Sequence, residues 1–93
     1  MIPPSGKPAL AGKARLRFDR ATGGYLLLYP ERGLQLNPTA GSILKLCDGQ
    51  RTVDAIVAEL QKDYAGRPAP ELQKDVLEFL EEMERRGLVQ VPG

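Results

Sequence analysis

The sequence predicts an α+β domain of the winged helix-turn-helix type, in which a three-stranded antiparallel sheet is followed by three helices. Residues 14–37 contain three runs of strand length separated by turn residues. Residues 38–87 show helical periodicity, interrupted by capping residues and glycines. The chain has 93 residues, is 42% hydrophobic and has no tryptophan. These values predict one small domain with a mainly aliphatic core.

The N-terminal residues 1–13 are predicted to form a flexible arm. This segment is rich in residues that resist regular structure, namely Pro3, Pro4, Gly6, Pro8 and Gly12. Residues 14–93 then form the single folded domain.

The first two strands are predicted at Ala14–Asp19 and Tyr25–Tyr29, joined by a hairpin loop over residues 20–24. In the first strand Leu16 and Phe18 share one face, as expected for a half-buried strand. The second strand is apolar on both faces, which is unusual for a small antiparallel sheet. We therefore expect the arm or a partner to cover its second face.

The third strand is predicted at Gly33–Asn37. Pro30 ends the preceding strand because it has no N–H for the ladder, and residues 31–33 form a turn. Alternation places two side chains toward the core and two away from it: Leu34 and Leu36 inward, Gln35 and Asn37 outward.

The first helix is predicted from Pro38 to about Cys47, with Asn37 as its N-cap and Gly49 at the C′ position. The second helix begins after the Thr52 cap and ends near Gly66.

The third helix is predicted to open at Pro70 and to end at Gly87, and the apolar tail Leu88–Val91 then docks on the sheet or frays. Leu77 lies outside the centre of the apolar stripe of this helix. One shoulder of the helix comprises Gln73, Leu77, Leu80 and Glu84. The off-stripe leucine indicates either a wide core face or the apolar wall of a groove.

Composition argues against an enzyme. The chain has no histidine and one cysteine, Cys47, so no metal site, no cofactor site and no catalytic residue is predicted. Cys47 falls on the apolar side of its helix and is expected to be buried. No signal peptide or membrane span is recognisable, and a cytoplasmic location is expected.

Charge is unevenly distributed, at +5 over residues 1–45 and −4 over residues 46–93. This asymmetry indicates either a solvated surface or a dipole that orients a charged partner. A small winged-helix nucleic-acid-binding regulator is the alternative function. The third helix would then read the groove, but its six acidic residues against three basic ones disfavour contact with phosphate.

The predicted edge strand favours a peptide-binding adaptor. In a three-strand meander the strand Gly33–Asn37 keeps a row of unpaired backbone groups, and it contains no lysine or proline that would block pairing. An extended peptide would satisfy these groups by strand addition. The same edge, the apolar second strand and the short connection Pro30–Gly33 also predict self-association by exchange of N-terminal strands.

Three segments carry a resemblance to a known family: LLLYPERGLQLN, SILKLCDGQRTV and LEFLEEMERRGL. Over residues 15–89 the chain resembles the pyrroloquinoline quinone biosynthesis protein D (PqqD) family. The resemblance implies a non-catalytic recognition element that binds the precursor peptide PqqA. It also implies delivery of that peptide to PqqE, a radical S-adenosylmethionine enzyme. The peptide is then expected beside the third strand and against the third helix, which makes residues 14–93 a peptide-recognition domain. The expected contacts are Gly33, Leu34, Gln35, Leu36, Asn37, Gln73, Leu77, Leu80 and Glu84.

Overall fold

The structure is a computed structural model and describes residues 2–3, 5–30 and 32–91. The elements in chain order are β1 (Ala9–Leu10), β2 (Arg15–Asp19), β3 (Gly24–Tyr29), β4 (Arg32–Gln35), α1 (Pro38–Lys45), α2 (Val53–Asp63), α3 (Ala69–Arg85) and β5 (Val89–Gln90). The antiparallel sheet β2-β3-β4 and the three helices confirm the predicted fold class, while β1 and β5 form a second, two-stranded sheet.

The three-stranded sheet packs its central strand into the core. Leu27 of β3 lies opposite Leu16 of β2 and Leu34 of β4, so the three side chains share one face. Leu27 is completely buried. Next to this row, Phe18 and Tyr25 meet edge to face with ring centroids 5.4 Å apart. The opposite face carries Leu26 and Leu28, both half-buried.

Helix α1 begins as predicted, because the Asn37 side chain accepts a hydrogen bond of 2.7 Å from the Ala40 N–H and Pro38 occupies the first turn. The helix ends at Lys45, before the predicted end at Cys47. Gly49 has a positive φ of 77° but does not cap α1. Its N–H donates instead to the carbonyl of Pro8, at 3.0 Å.

Helices α2 and α3 form the largest helix–helix contact. Thr52 caps α2 by accepting from the Ala55 N–H, as predicted. Gly87, predicted to end α3, follows its last turn with a φ of 74°, a left-handed conformation that glycine adopts readily. The buried stripes of the two helices are Val53, Ile56, Val57 and Leu60 on α2, and Leu72, Val76, Leu80 and Met83 on α3.

The N-terminal segment differs from the predicted flexible arm, because its described residues pack on the domain. Ile2 and Pro8 are buried, and β1 pairs with β5, with Ala9 opposite Gln90. The carbonyl of Gly6 accepts from the Val53 N–H at 3.0 Å. Burial of Ile2 and Pro8 and these backbone bonds offset the conformational entropy that is lost when this segment becomes ordered.

The C-terminal tail also differs from its prediction. It joins the N-terminal segment through β5 and does not dock on the three-stranded sheet. The hydrogen bonds recorded for the described N-terminal residues lead to Gly49, Val53 and Leu88. None of these partners belongs to β3, so the described hydrogen bonds do not link the N-terminal segment to the second face of that strand.

Two earlier expectations fall partly outside the described residues. The predicted turn includes Glu31, and the arm includes Met1 and Pro4. The described turn residue Pro30 leads into β4, which begins at Arg32 and ends at Gln35. The strand is thus shifted toward the N-terminus relative to the predicted Gly33–Asn37, because Asn37 is occupied in capping α1.

Candidate functional site

Strand β4 forms one outer edge of the three-stranded sheet, with β3 as its neighbour. Tyr29 lies opposite Arg32, which places β4 directly beside β3. Asn37 then starts α1 and ends the strand. An edge strand presents backbone N–H and C=O groups that the sheet does not pair.

The register shows which backbone groups of β4 point outward. The Leu36 N–H donates to the Tyr25 carbonyl at 2.9 Å, so this position belongs to a hydrogen-bonded pair. Bonded and non-bonded pairs alternate in an antiparallel ladder. Leu34 is therefore bonded to β3, whereas the N–H and C=O groups of Gly33 and Gln35 face the free edge.

The side chains of this segment have the predicted orientation. Leu36 is buried and Leu34 is half-buried against the core, whereas Gln35 and Asn37 are exposed. Gly33 has no side chain, and a Cβ there would lie 3.4 Å from Cδ2 of Leu28. The free edge thus presents unpaired backbone groups, and the missing side chain at Gly33 lets a second backbone come close.

The predicted contacts on α3 do not form a uniform surface. Leu80 is completely buried, so a peptide on the surface cannot contact it and the prediction for this residue is wrong. Leu77 is half-buried and packs against the core, while Glu84 is exposed. The Gln73 amide donates to Asp54 of α2 at 3.4 Å. This side of α3 therefore faces α2 near Gln73, and its larger contacts are with α2 and β5.

A surface pocket of about 380 Å³ lies where β4 ends and α1 begins. It is lined by Thr22, Gly23, Gly24, Tyr25, Gln35, Leu36, Pro38 and Ser42. Of this set, only Gln35 and Leu36 were predicted from the sequence as contacts; the hairpin and β3 residues and the α1 residues Pro38 and Ser42 were missed. Pro38 and Ser42 lie four residues apart and therefore on one face of α1, and this spacing is visible in the sequence.

The single thiol is unsuited to nucleophilic chemistry. Cys47 is buried and its Sγ donates to the Ile43 carbonyl at 3.2 Å. Burial, together with the nearby charge of Asp48, raises the pKa of Cys47 to about 12. The thiolate is therefore rare at neutral pH. Among the described residues, no cluster of His, Cys, Asp and Glu is placed to hold a metal ion.

The family model described as "Coenzyme PQQ synthesis protein D (PqqD)" matches residues 24–89. The matched region runs from β3 to β5 and includes the free edge of β4. The chain belongs to the PqqD family. This confirms the resemblance seen in the sequence. Within the described residues, every helix is too short or too polar to cross a bilayer.

Curated relatives in the PqqD family are named for peptide binding. The PqqA binding protein of Pseudomonas entomophila is 43% identical over 74 residues, which is 80% of this chain and 79% of the relative. The PqqA binding protein of Rhodopseudomonas palustris is 38% identical over 85 residues, which is 91% of this chain and 82% of the relative.

Solved structures of PqqD proteins share the fold. The solution structure of the PqqD part of Methylobacterium extorquens PqqCD, described as a functional, stand-alone RiPP recognition element, matches with a TM-score of 0.81. It is 31% identical, and the match covers 97% of this chain and 95% of that one. PqqD from Xanthomonas campestris matches with a TM-score of 0.59 and 28% identity, over 98% of this chain and 100% of that one.

Proposed function

We propose that this chain binds the precursor peptide PqqA by adding it as a strand to the free edge of β4. The chain then delivers the peptide to the radical S-adenosylmethionine enzyme PqqE and catalyses no reaction itself. The observation that carries the proposal is the pair of outward-facing backbone positions, Gly33 and Gln35, on an edge strand. The relatives named as PqqA binding proteins support the choice of peptide.

Strand addition explains how a small surface can hold a flexible peptide. Gly33 and Gln35 together offer two N–H and two C=O groups to the incoming strand. Each such hydrogen bond contributes about 0.5–1.5 kcal/mol net. Specificity must then come from side-chain contacts on the faces of the added strand, because backbone groups are common to all sequences.

On α3, we propose that Leu77 makes an apolar contact with the bound peptide and that Gln73 and Glu84 make polar contacts on either side of it. Leu77 is half-buried, so part of its side chain remains available to a ligand. Asn37 adds an exposed position next to the edge, although its side chain is engaged with the Ala40 N–H.

Calorimetric titration of the purified chain with synthetic PqqA tests the proposal. The unchanged chain is expected to bind with micromolar affinity or better. Gln35→Pro removes an N–H that faces the free edge, so binding is expected to fall while the melting temperature stays nearly constant. Gln35→Ala is the matched control, because it removes the side chain and keeps the N–H. A folded Gln35→Pro protein with unchanged affinity would exclude β4 from the site.

The opposite edge of the sheet supplies a second control. The register places the N–H of Phe18 on the outer side of β2, and this side chain is 50% exposed. Phe18→Pro is therefore expected to bind PqqA as Phe18→Ala does, because both variants lose the ring that packs on Tyr25 and only Phe18→Pro also loses the N–H. Loss of binding in Phe18→Pro, but not in Gln35→Pro, would place the peptide on β2 instead of β4.

Titration with duplex DNA in place of PqqA tests the nucleic-acid hypothesis. Tight, salt-dependent binding to DNA without binding to PqqA would replace the peptide function.

We also infer that copies of the chain exchange N-terminal strands and that the exchange competes with PqqA. The free edge of β4 and the half-buried Leu26 and Leu28 on the second face support this. Sedimentation over a concentration series, with and without PqqA, measures it. A monomer at every concentration contradicts the exchange, and a dimer that saturating PqqA leaves unchanged contradicts the competition.

We place the protein in a reducing compartment, the cytoplasm. The support is its single cysteine, which is an unpaired and buried thiol.

A further inference from the structure

The pocket at the end of β4 lies on the helix-covered face of the sheet. Helix α1 crosses β3 so closely that a Cβ on Gly41 would lie 2.9 Å from Cδ2 of Tyr25. Tyr25 and Leu36 belong to the same sheet face, and α1 covers that face. Pro38 and Ser42, on the first turns of α1, form the opposite wall of the pocket.

The register of β4 connects this pocket to an added strand. In both parallel and antiparallel sheets, laterally opposite residues place their side chains on the same face. A peptide residue opposite Gln35 therefore points to the exposed face of the sheet. The neighbouring peptide residue, opposite Leu36, points to the helix-covered face and toward the mouth of the pocket. This assignment holds for either direction of the peptide.

The residues that line the pocket disfavour a charged ligand group. It contains no charged side chain, and Tyr25, Leu36 and Pro38 supply apolar walls. The Ser42 hydroxyl donates to the Pro38 carbonyl at 3.0 Å. The Thr22 hydroxyl donates to Asp19 and accepts from the Gly24 N–H. Because both hydroxyls already have protein partners, a charged group entering the pocket would lose water without a compensating ion pair.

We propose that this pocket is a specificity site for one uncharged apolar or aromatic side chain of the bound peptide, that of the residue opposite Leu36. Its volume of about 380 Å³ lies in the range of small-ligand pockets. The inference rests on the proposed strand addition and extends it, because it assigns sequence selectivity to Tyr25, Pro38 and Ser42. The backbone edge then supplies affinity that is independent of sequence.

A double-mutant cycle tests the pocket separately from the edge. An alanine scan of synthetic PqqA, titrated into the unchanged chain, is expected to reveal one apolar residue whose replacement weakens binding at least tenfold. Ser42→Phe, which fills the pocket from an accessible position on α1, is expected to weaken binding of unchanged PqqA by a similar factor. The combination of both changes is expected to cost little more than either alone. Ala58→Phe is the matched control, because it adds the same ring to an exposed position on α2.

The outcomes separate the two proposals. Binding that Gln35→Pro reduces and Ser42→Phe leaves unchanged would overturn the pocket and retain strand addition. Fully additive losses in the cycle would also overturn the pocket. Failure of the unchanged chain to bind PqqA at all would overturn the proposed function, and the pocket with it.

A measurement on the unchanged chain covers the case in which Ser42→Phe does not fold. Nuclear Overhauser contacts are expected between the Tyr25 ring and the apolar PqqA residue found by the scan. Absence of these contacts in a saturated complex would overturn the pocket.

Discussion

Gly41 of α1 lies directly against the ring of Tyr25 on β3. A Cβ at position 41 would lie 2.9 Å from Cδ2, 3.2 Å from Cβ and 3.3 Å from Cγ of Tyr25. The absence of a side chain at this one helical position allows α1 to approach the sheet. The same approach sets the width of the pocket between α1 and the end of β4.

Replacement of Gly41 by alanine tests this approach. Alanine favours a helix by about 1 kcal/mol over glycine, but overpacking costs about 1–3 kcal/mol. We expect a net loss of stability of up to about 2 kcal/mol in urea unfolding, because the Tyr25 ring must move. Gly66→Ala is the control, since a Cβ there meets no atom within 4 Å. Equal stability changes in both variants would show that the contact with Tyr25 is unimportant.

Leu77 and Leu80 form a matched pair on α3. Leu80 is completely buried and Leu77 is half-buried. We expect Leu80→Ala to lower the free energy of unfolding by about 2–5 kcal/mol, and Leu77→Ala to lower it by less than half as much. Thermal and urea unfolding measure both values. Leu77→Glu is further expected to weaken PqqA binding more than it weakens the fold, and native-like affinity per folded molecule would assign Leu77 to the core.

The N-terminal segment is expected to contribute to stability. Ile2 is buried at 2% exposure, and a Cβ on Gly6 would lie 2.8 Å from Cγ1 of Val91, so the segment packs on the tail. Ile2→Ala is therefore expected to cost about 2–5 kcal/mol in urea unfolding. Lys7→Ala, at an exposed position, is expected to change stability by no more than about 0.5 kcal/mol. An Ile2→Ala variant with an unchanged free energy of unfolding would instead support the predicted flexible arm.

Cys47 is expected to give the protein a pH dependence at the alkaline end. Its pKa is raised from an ordinary value near 9 to about 12 in the folded state. The neutral buried thiol therefore contributes stability that is fully present below about pH 9 and is lost as the pH rises toward about 12. The stability difference between the unchanged chain and Cys47→Ala, measured by urea unfolding from pH 8 upward, is expected to shrink in this window. A constant difference would contradict the burial of the thiol.

Reactivity provides an independent measurement of the same thiol. A disulfide reagent is expected to modify Cys47 slowly in the native protein and rapidly in denaturant, because the thiolate is the nucleophile. Modification at the same rate in both states would show that the sulfur is accessible.

Local chemistry made much of this fold predictable. Asn37 with Pro38, Thr52 and Gly87 mark helix ends through hydrogen bonds and backbone conformations confined to a few residues. The alternation of Leu34, Gln35 and Leu36 likewise fixes side-chain direction within one strand. For this reason the starts of α1 and α2, the end of α3 and the orientation of the edge strand follow from the sequence alone.

Features that depend on distant partners were not predictable in the same way. Ile2 is held by burial, and the carbonyls of Gly6 and Pro8 accept from Val53 and Gly49, more than 40 positions away. The composition of this segment contains no sign of these distant partners and alone suggested an arm. Leu77 and Leu80 occupy the same helical shoulder, and only the packing of α3 separates them. The pocket unites a hairpin, a strand and a helix, and no single stretch of sequence contains its pattern.

The pairing of β1 with β5 brings together the first and the last strand of the described chain. Ala9 lies opposite Gln90, so the two segments share one small antiparallel sheet. Proteins whose first and last segments meet in this way tolerate new connectivity. A linker that connects the segment after β5 to the segment before β1, with the chain reopened at the exposed Gly66 between α2 and α3, should therefore yield a circular permutant. In such a permutant the edge of β4 keeps both of its neighbouring elements, β3 and α1, while the N-terminal segment becomes an internal connection.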